Sequence, residues 1–202
     1  MLLEKIKNEQ KTKKIVTDNL DYPFEVPESW AWCRLGDVCK FENGYAFSSE
    51  KYKNEGVPLI RISNIKDGSV DLSECIYVEK DNLIDDRFIV QNGDLLIAMS
   101  GATTGKMGVY NSFNMAYLNQ RVGNVKISHK EIVYDKYRNY FLIAKSNEIL
   151  KMAYGGAQPN ISSKVMETIL FPIPSISEQK RIVAQIEKIF FQLDEIEKSI
   201  KA

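Results

Sequence analysis

The chain has little with which to cross-link a fold or hold a metal. Its 202 residues include three cysteines, Cys33, Cys39 and Cys75, none in a CxxC pair, and one histidine, His129. That set builds neither a disulfide framework nor a zinc site, so the thiols are expected as small apolar core residues in a reducing compartment. Net charge is also missing, with 27 Lys plus Arg against 27 Asp plus Glu. Without a basic excess, phosphate attraction gives little autonomous affinity for nucleic acid, although base reading stays open. No run approaches the ~20 apolar residues of a membrane span. The opening MLLEKIKNEQKTKK is charged and not leader-like, which points to the cytoplasm.

What is present is ordinary globular composition, 44% apolar and 27% charged, enough for one sizeable domain with an appendage. Residues 1–20 read as an amphipathic helical arm, with Leu2, Leu3 and Ile6 on one face, and the start of a linker. Pro23 and Pro27 keep that linker extended as far as a domain start near Trp30. The main domain spans 21–174. Within it, short β-prone runs at 57–65, 74–80, 94–100, 106–110 and 122–128 are broken by turns at Lys66-Asp67-Gly68 and Gln91-Asn92-Gly93-Asp94. Ser128 and Glu131 fit a capping box opening a helix that runs to about Ala153, followed by the amide-rich loop YGGAQPNISS. The segment ILFPIP then exits through two prolines.

Residues 175–202 form a third region. Ser175 and Glu178 fit a second capping box, and Ile182, Ile186, Ile189, Leu193, Ile196 and Ile200 follow at spacings of 4, 3, 4, 3 and 4. This is the a/d seam of a coiled coil, with Glu, Lys and Gln at most other positions. The predicted fold is therefore α+β: a mixed, mostly β domain followed by a long C-terminal coiled-coil helix. Packing of the stripe on the chain's own domain is the alternative.

Catalytic chemistry finds no support in the motifs. In SGATTGKMG, Gly101 and Gly105 are one residue too close for a phosphate loop, and Met107 stands where a Ser or Thr holds magnesium. The segment also joins two β runs and opens no helix, so a tight hairpin with Thr103, Thr104 and Lys106 facing solvent or a polyanion fits better. His129 lies beside a helix cap, no GxSxG occurs, and Asp85-Asp86 reads as a solvated turn. No catalytic residue and no metal ligand is assigned.

The strand ends, by contrast, are dense in groups that read base edges. Asn and Gln pair with adenine, Arg and Lys with guanine, and aromatic rings stack on bases. Tyr45, Arg61, Asn64, Asn119, Arg121, Gln158 and Asn160 are the candidate base readers; Thr103 and Lys106 are the candidate phosphate or groove contacts. Their clustering at loops is the signal.

Five separated motifs, PFEVPESWAWCRLGDVCKFENG, GVPLIRISNIKDG, NGDLLIAMSGATTGKMGV, YLNQRVGNVKI and FPIPSISEQKRIVAQIEKI, occur in the order seen in specificity subunits of type I restriction-modification systems. The chain resembles that family over nearly its whole length. The resemblance implies a target-recognition domain of mixed build followed by a long helix. It implies a subunit without catalysis that selects the DNA sequence, while a modification subunit methylates adenine and a restriction subunit translocates and cleaves. S-adenosylmethionine, ATP and Mg are expected only on those partners. Members usually carry two recognition domains and two helical regions, whereas this chain carries one of each and resembles the C-terminal half. A natural half-subunit, a truncated product and a fragment all fit. Implied partners are double-stranded DNA, the modification subunit, the restriction subunit as a further partner, and a second copy or another half-subunit, with no membrane. The competing function is a protein-binding scaffold or inhibitor of such a complex without DNA specificity of its own.

Overall fold

The computed structural model describes Glu4, residues 22–153 and residues 159–201. The predicted N-terminal arm, apart from Glu4, and Gln158 lie outside the described residues. The chain divides into two compact units: Met1–Cys33 with His129–Tyr140 and Leu170–Ala202, and Arg34–Ser128 with Phe141–Ile169.

In the first unit, strand β1 (Ala31–Arg34) pairs with a partner 136 or more residues away, the last strand, β11 (Leu170–Ile173). The FPIP segment, expected as an exit, is thus a strand that buries Phe171 and Ile173. Trp32 is buried and stacks on Tyr22 at 5.7 Å. Tyr137 packs on Phe171 at 5.6 Å and donates its hydroxyl to the Pro172 carbonyl at 3.0 Å.

The C-terminal helix follows from Ile176 to Lys201, about 39 Å of helix at 1.5 Å per residue. Ser175 caps it, its Oγ accepting the Glu178 amide proton at 3.3 Å. The box is only half made, because the Glu178 carboxylate turns instead to the Arg181 guanidinium at 2.6 Å. That guanidinium holds the Glu178 carboxyl below its ordinary value. Gln179, one residue on, is fully buried.

The second unit begins at the short helix α1 (Leu35–Val38) and holds two sheets. One has the order β2 (Cys39–Asn43), β10 (Val122–Ile127), β7 (Leu95–Ala98), β8 (Met107–Val109), β4 (Gly68–Ser69). The other runs β5 (Ile76–Val78), β3 (Val57–Ile60), β9 (Ala116–Leu118), β6 (Ile89–Val90). β7 is buried at all four positions, as its uninterrupted apolar LLIA requires. Leu96, Ala98, Ile60, Leu118, Val122 and Tyr110 join in one core cluster. The predicted turn at 91–94 forms: Asp94 Oδ2 accepts the Gln91 amide proton at 2.9 Å and that of the Asn124 side chain at 2.7 Å.

The helix predicted from Ser128 starts later and breaks. Residues 129–132 make a turn closed by the Ile132 amide on the His129 carbonyl, and Glu131 pairs with His129 at 3.1 Å instead of capping. Helix α2 covers Asp135–Ala144, and α3 (Ser146–Met152) restarts after Lys145. Ser146 and Asn147 are weak helix formers, which suits the break. A six-residue helix, α4 (Ser163–Thr168), is capped by Ser162, and the chain then enters β11. The C-terminal helix Ile176–Lys201 is α5.

Candidate nucleic-acid interface

Register brings the predicted loops to one end of the second unit. β10 runs antiparallel to β2, with Gly123 opposite Asn43, and antiparallel to β7, with Val122 opposite Ala98. β3 and β9 run parallel, with Ile60 beside Leu118. The segments after β2, β3, β7 and β9 therefore emerge on the same rim. Backbone bonds tie them into a ring: Tyr45 bridges Asn119, the Asn119 amide donates to Ile60, the Met99 amide donates to Arg121, and Ser100 bridges Asn160. Gly44 makes the first junction possible, because a Cβ there would lie 2.2 Å from the Asn119 carbonyl oxygen.

The hairpin joining β7 and β8 closes over the same rim. The Gly105 amide donates to Ala98, and the Lys106 amide donates to Thr103. Gly101 and Gly105 take φ of +89° and +87°, values a side chain disfavours, which is why both turns are glycine. The phosphate-loop geometry is absent, and a hairpin is what forms.

The candidate residues divide by what their side chains are doing. Arg121 is exposed, and its guanidinium has no ion pair or hydrogen bond among the described residues; Asn160 is likewise exposed. Asn119 is half-buried at the junction with Tyr45. Tyr45 is 49% exposed. Lys106 pairs with Asp67 at 3.1 Å, both side chains facing solvent, and such a pair is weak enough to exchange for a phosphate.

Two candidates turn inward. Asn64 is 4% exposed: its Oδ1 accepts the Arg61 amide proton at 2.9 Å and its Nδ2 donates to the Asp71 carbonyl at 3.0 Å. It holds the 3-10 turn at 62–64 and has no free edge for a base. Thr103 donates its hydroxyl to the Ile62 carbonyl at 3.2 Å, and Thr104, expected at the surface, is buried with its hydroxyl on the Gly101 carbonyl at 2.6 Å. Arg61 is half-buried, and its buried Nε has no hydrogen-bond partner among the described residues. Nearby, burial pushes the Cys75 thiol up, away from the thiolate form.

The seam of α5 also divides. Ile182 and Ile186 are half-buried, while Ile189, Leu193, Ile196 and Ile200 are 51 to 79% exposed. The helix meets its own unit through another face: Val183 is buried, Glu187 pairs with Lys136 at 2.7 Å, and Phe190 lies 6.1 Å from Tyr140. At 100° per residue that face, Gln179 to Phe190, is turned about 90° from the seam. Packing on the chain's own domain therefore leaves the distal seam uncovered.

Two residues escaped the sequence reading. Gln179 accepts the Tyr134 amide proton at 2.7 Å and donates to the Ile132 and Pro174 carbonyls at 2.7 and 2.9 Å. A glutamine in a charged helix gives no hint of this. Phe88 packs 5.5 Å from Tyr45, and its one signal was an apolar residue directly after the exposed turn Asp85-Asp86-Arg87.

The family model for "Type I restriction modification DNA specificity domain" matches residues 27–202. The type I restriction enzyme EcoAI specificity subunit of Escherichia coli is 32% identical over 189 residues, 89% of this chain and 31% of the relative. The EcoBI specificity subunit of the same species is 26% identical over 94% of this chain and 40% of its own length. Among solved structures, the HsdS subunit from Thermoanaerobacter tengcongensis superposes with a TM-score of 0.69 at 20% identity, over 98% of this chain and 50% of that one. A structure from a study of complex assembly in the type I R-M system gives 0.72, also at 20% identity, over 98% and 51%. These two likenesses speak to the fold. The chain spans about a third to two-fifths of those curated relatives and half of the structural neighbours. With the family model covering everything from residue 27 onward, the chain belongs to the type I restriction modification DNA specificity domain family.

Proposed function

We propose that the chain is a sequence-reading, non-catalytic DNA subunit that directs a partner modification subunit, with S-adenosylmethionine, ATP and Mg bound only on partner subunits. The observation that carries this is the rim: four strand-end segments and Asn160 gathered into one ring, with Arg121, Asn160, Asn119 and Tyr45 offered outward. Arginine and asparagine are the side chains that pair bidentately with guanine and adenine in the major groove. Lys106, held only by the exposed Asp67, adds a phosphate contact at the same edge. A neutral chain needs help with the backbone charge of DNA, which fits a subunit that works inside a larger assembly.

The uncovered seam of α5 supplies the means of assembly. Pairing of two such helices, in a second copy or another half-subunit, brings two recognition rims into one assembly, and the target is then a split sequence, palindromic if the copies are identical. Co-expression with the matching modification subunit, followed by genome-wide mapping of methylated adenines, tests this. A split motif that changes with Arg121→Ala or Asn160→Ala is expected. Methylation without sequence preference, or none that depends on this chain, refutes it and favours a scaffold.

A further inference from the structure

The second unit also carries a cleft of about 900 Å³ between residues 45–53 and 78–88. One wall is a set of rings. Tyr45 meets Phe47 edge-on at 5.1 Å and Phe88 at 5.5 Å, and Phe47 is braced by stacking on buried Tyr117 at 5.6 Å. The facing loop is tethered from beneath, because the Tyr117 hydroxyl accepts the Asp81 amide proton at 3.0 Å and lies 3.1 Å from the Asp81 carbonyl it donates to. Both walls are therefore held apart before any ligand arrives.

The chemistry of the lining selects among ligands. A volume of this size suits a small planar molecule. Tyr45 is the exposed ring of the wall and offers a π-face, on which any base stacks, while Phe88 is half-buried behind it with the Arg87 guanidinium 4.6 Å over its ring. The mouth carries both signs. Lys53 is taken by Glu79 and Asp85 by Arg87 at 3.4 Å, Glu50 and Asp81 are acidic, and Lys51 and Lys80 are exposed with no ion pair among the described residues. Carboxylates at the mouth disfavour a phosphate inside the cleft, while Lys51 suits one at its edge. Position adds to this, since Tyr45 is both a wall of the cleft and, through its bridge to Asn119, part of the rim.

We propose that this cleft binds a nucleobase, stacked on Tyr45, which Phe88 backs, with its sugar and phosphate directed outward past Lys51. The base has two sources, an unstacked nucleotide of DNA lying on the rim or a free nucleotide. Only the first rests on the DNA-reading function proposed above.

The test uses the full chain and two probes, adenosine 5′-monophosphate and a DNA duplex with one unpaired 2-aminopurine, compared with its fully paired counterpart. Amide shifts at Ala46 and Asn82 report entry to the cleft. Tyr45→Ala and Phe88→Leu are expected to weaken binding roughly 5- to 100-fold, the usual range for removing a stacking ring. Tyr45 is exposed, so its variant keeps the fold, and an unchanged amide spectrum outside the cleft verifies this. Saturable mononucleotide binding with no preference for the bulged duplex supports the cleft and assigns it to free nucleotide. A ring-dependent preference for the bulged duplex supports it and assigns it to DNA. Absence of saturable binding, or binding unchanged in both variants, overturns the proposal and leaves the cleft to an apolar side chain of a protein. Mononucleotide binding that persists in a chain shown not to direct methylation would fault the DNA-reading function alone.

Discussion

The side-chain carbonyl of Gln179, at the head of α5, accepts the backbone proton of Tyr134 at 2.7 Å. With its amide on Ile132 and Pro174, this one buried residue satisfies three backbone groups from two separate segments of the first unit. Gln179→Leu keeps the bulk and strands all three. Each orphaned buried group costs about 1–3 kcal/mol, so a loss of about 3 kcal/mol or more is expected in urea denaturation. Gln179→Glu should be no better, because a carboxylate faces two carbonyls where a donor is required.

Under the proposed function, the rim separates readers from supports. In the assembled complex, Arg121→Ala and Asn160→Ala are each expected to reduce discrimination at one base position by about 1–3 kcal/mol, read from methylation of variant targets. Lys106→Ala should instead weaken binding evenly across sequences and lower the slope of log K against log salt by about 1. Asn64→Ala should do neither. It leaves the Arg61 amide and Asp71 carbonyl unpaired, and thermal or urea unfolding should show about 1–3 kcal/mol of lost stability.

The seam is testable apart from DNA. Leu193→Asp with Ile196→Asp places charge on the exposed stripe of α5, and sedimentation should show self-association or partner binding weakened roughly 100-fold or more, about 3 kcal/mol. The urea midpoint of the monomer should not move. Val183→Ala, on the buried face, should reverse the pattern, lowering stability and sparing association.

Tyr137 gives the fold an alkaline limit. Burial pushes its phenol far above the ordinary value near 10, so the native state keeps a proton that the unfolded chain releases. The stability from this group is complete below about pH 10 and is lost as pH rises further, with a slope of up to about 1.4 kcal/mol per pH unit. Tyr137→Phe should remove that part of the slope, measured by urea unfolding between pH 8 and about 11, while losing the hydrogen bond to Pro172 at all pH values.

The sequence revealed those parts of the molecule that depend on neighbours along the chain. The β7–β8 hairpin was readable because Gly101 and Gly105 supply the two positive-φ positions, and the head of α5 because Ser175 precedes Glu178 by three residues. What lay hidden depends on residues far away. β11 became a strand only through β1, and the Cys33 thiol reaches Phe171 across a separation of 138 residues. Asn64 and Arg121 look alike as polar residues after a strand. Asn64 is enclosed because Asp71 returns to meet its amide, and nothing local in RISN announces that. The start of α2 was misplaced for a related reason: Glu131 pairs with His129, so a capping-box spacing ended in a turn.

The quarter-turn between the two faces of α5 has a consequence for how such a protein changes over time. Under the proposed pairing, a substitution in the distal seam that tunes how two chains recognise each other falls on residues exposed in the monomer. One at the buried Gln179 or Val183 bears on the monomer's own fold. The rim is separate again, built from side chains that leave the strands outward. On the proposed function, foldedness, choice of partner and choice of DNA word fall on largely separate residues, the buried face of α5, its distal seam and the rim, so a change in one leaves the others mostly in place.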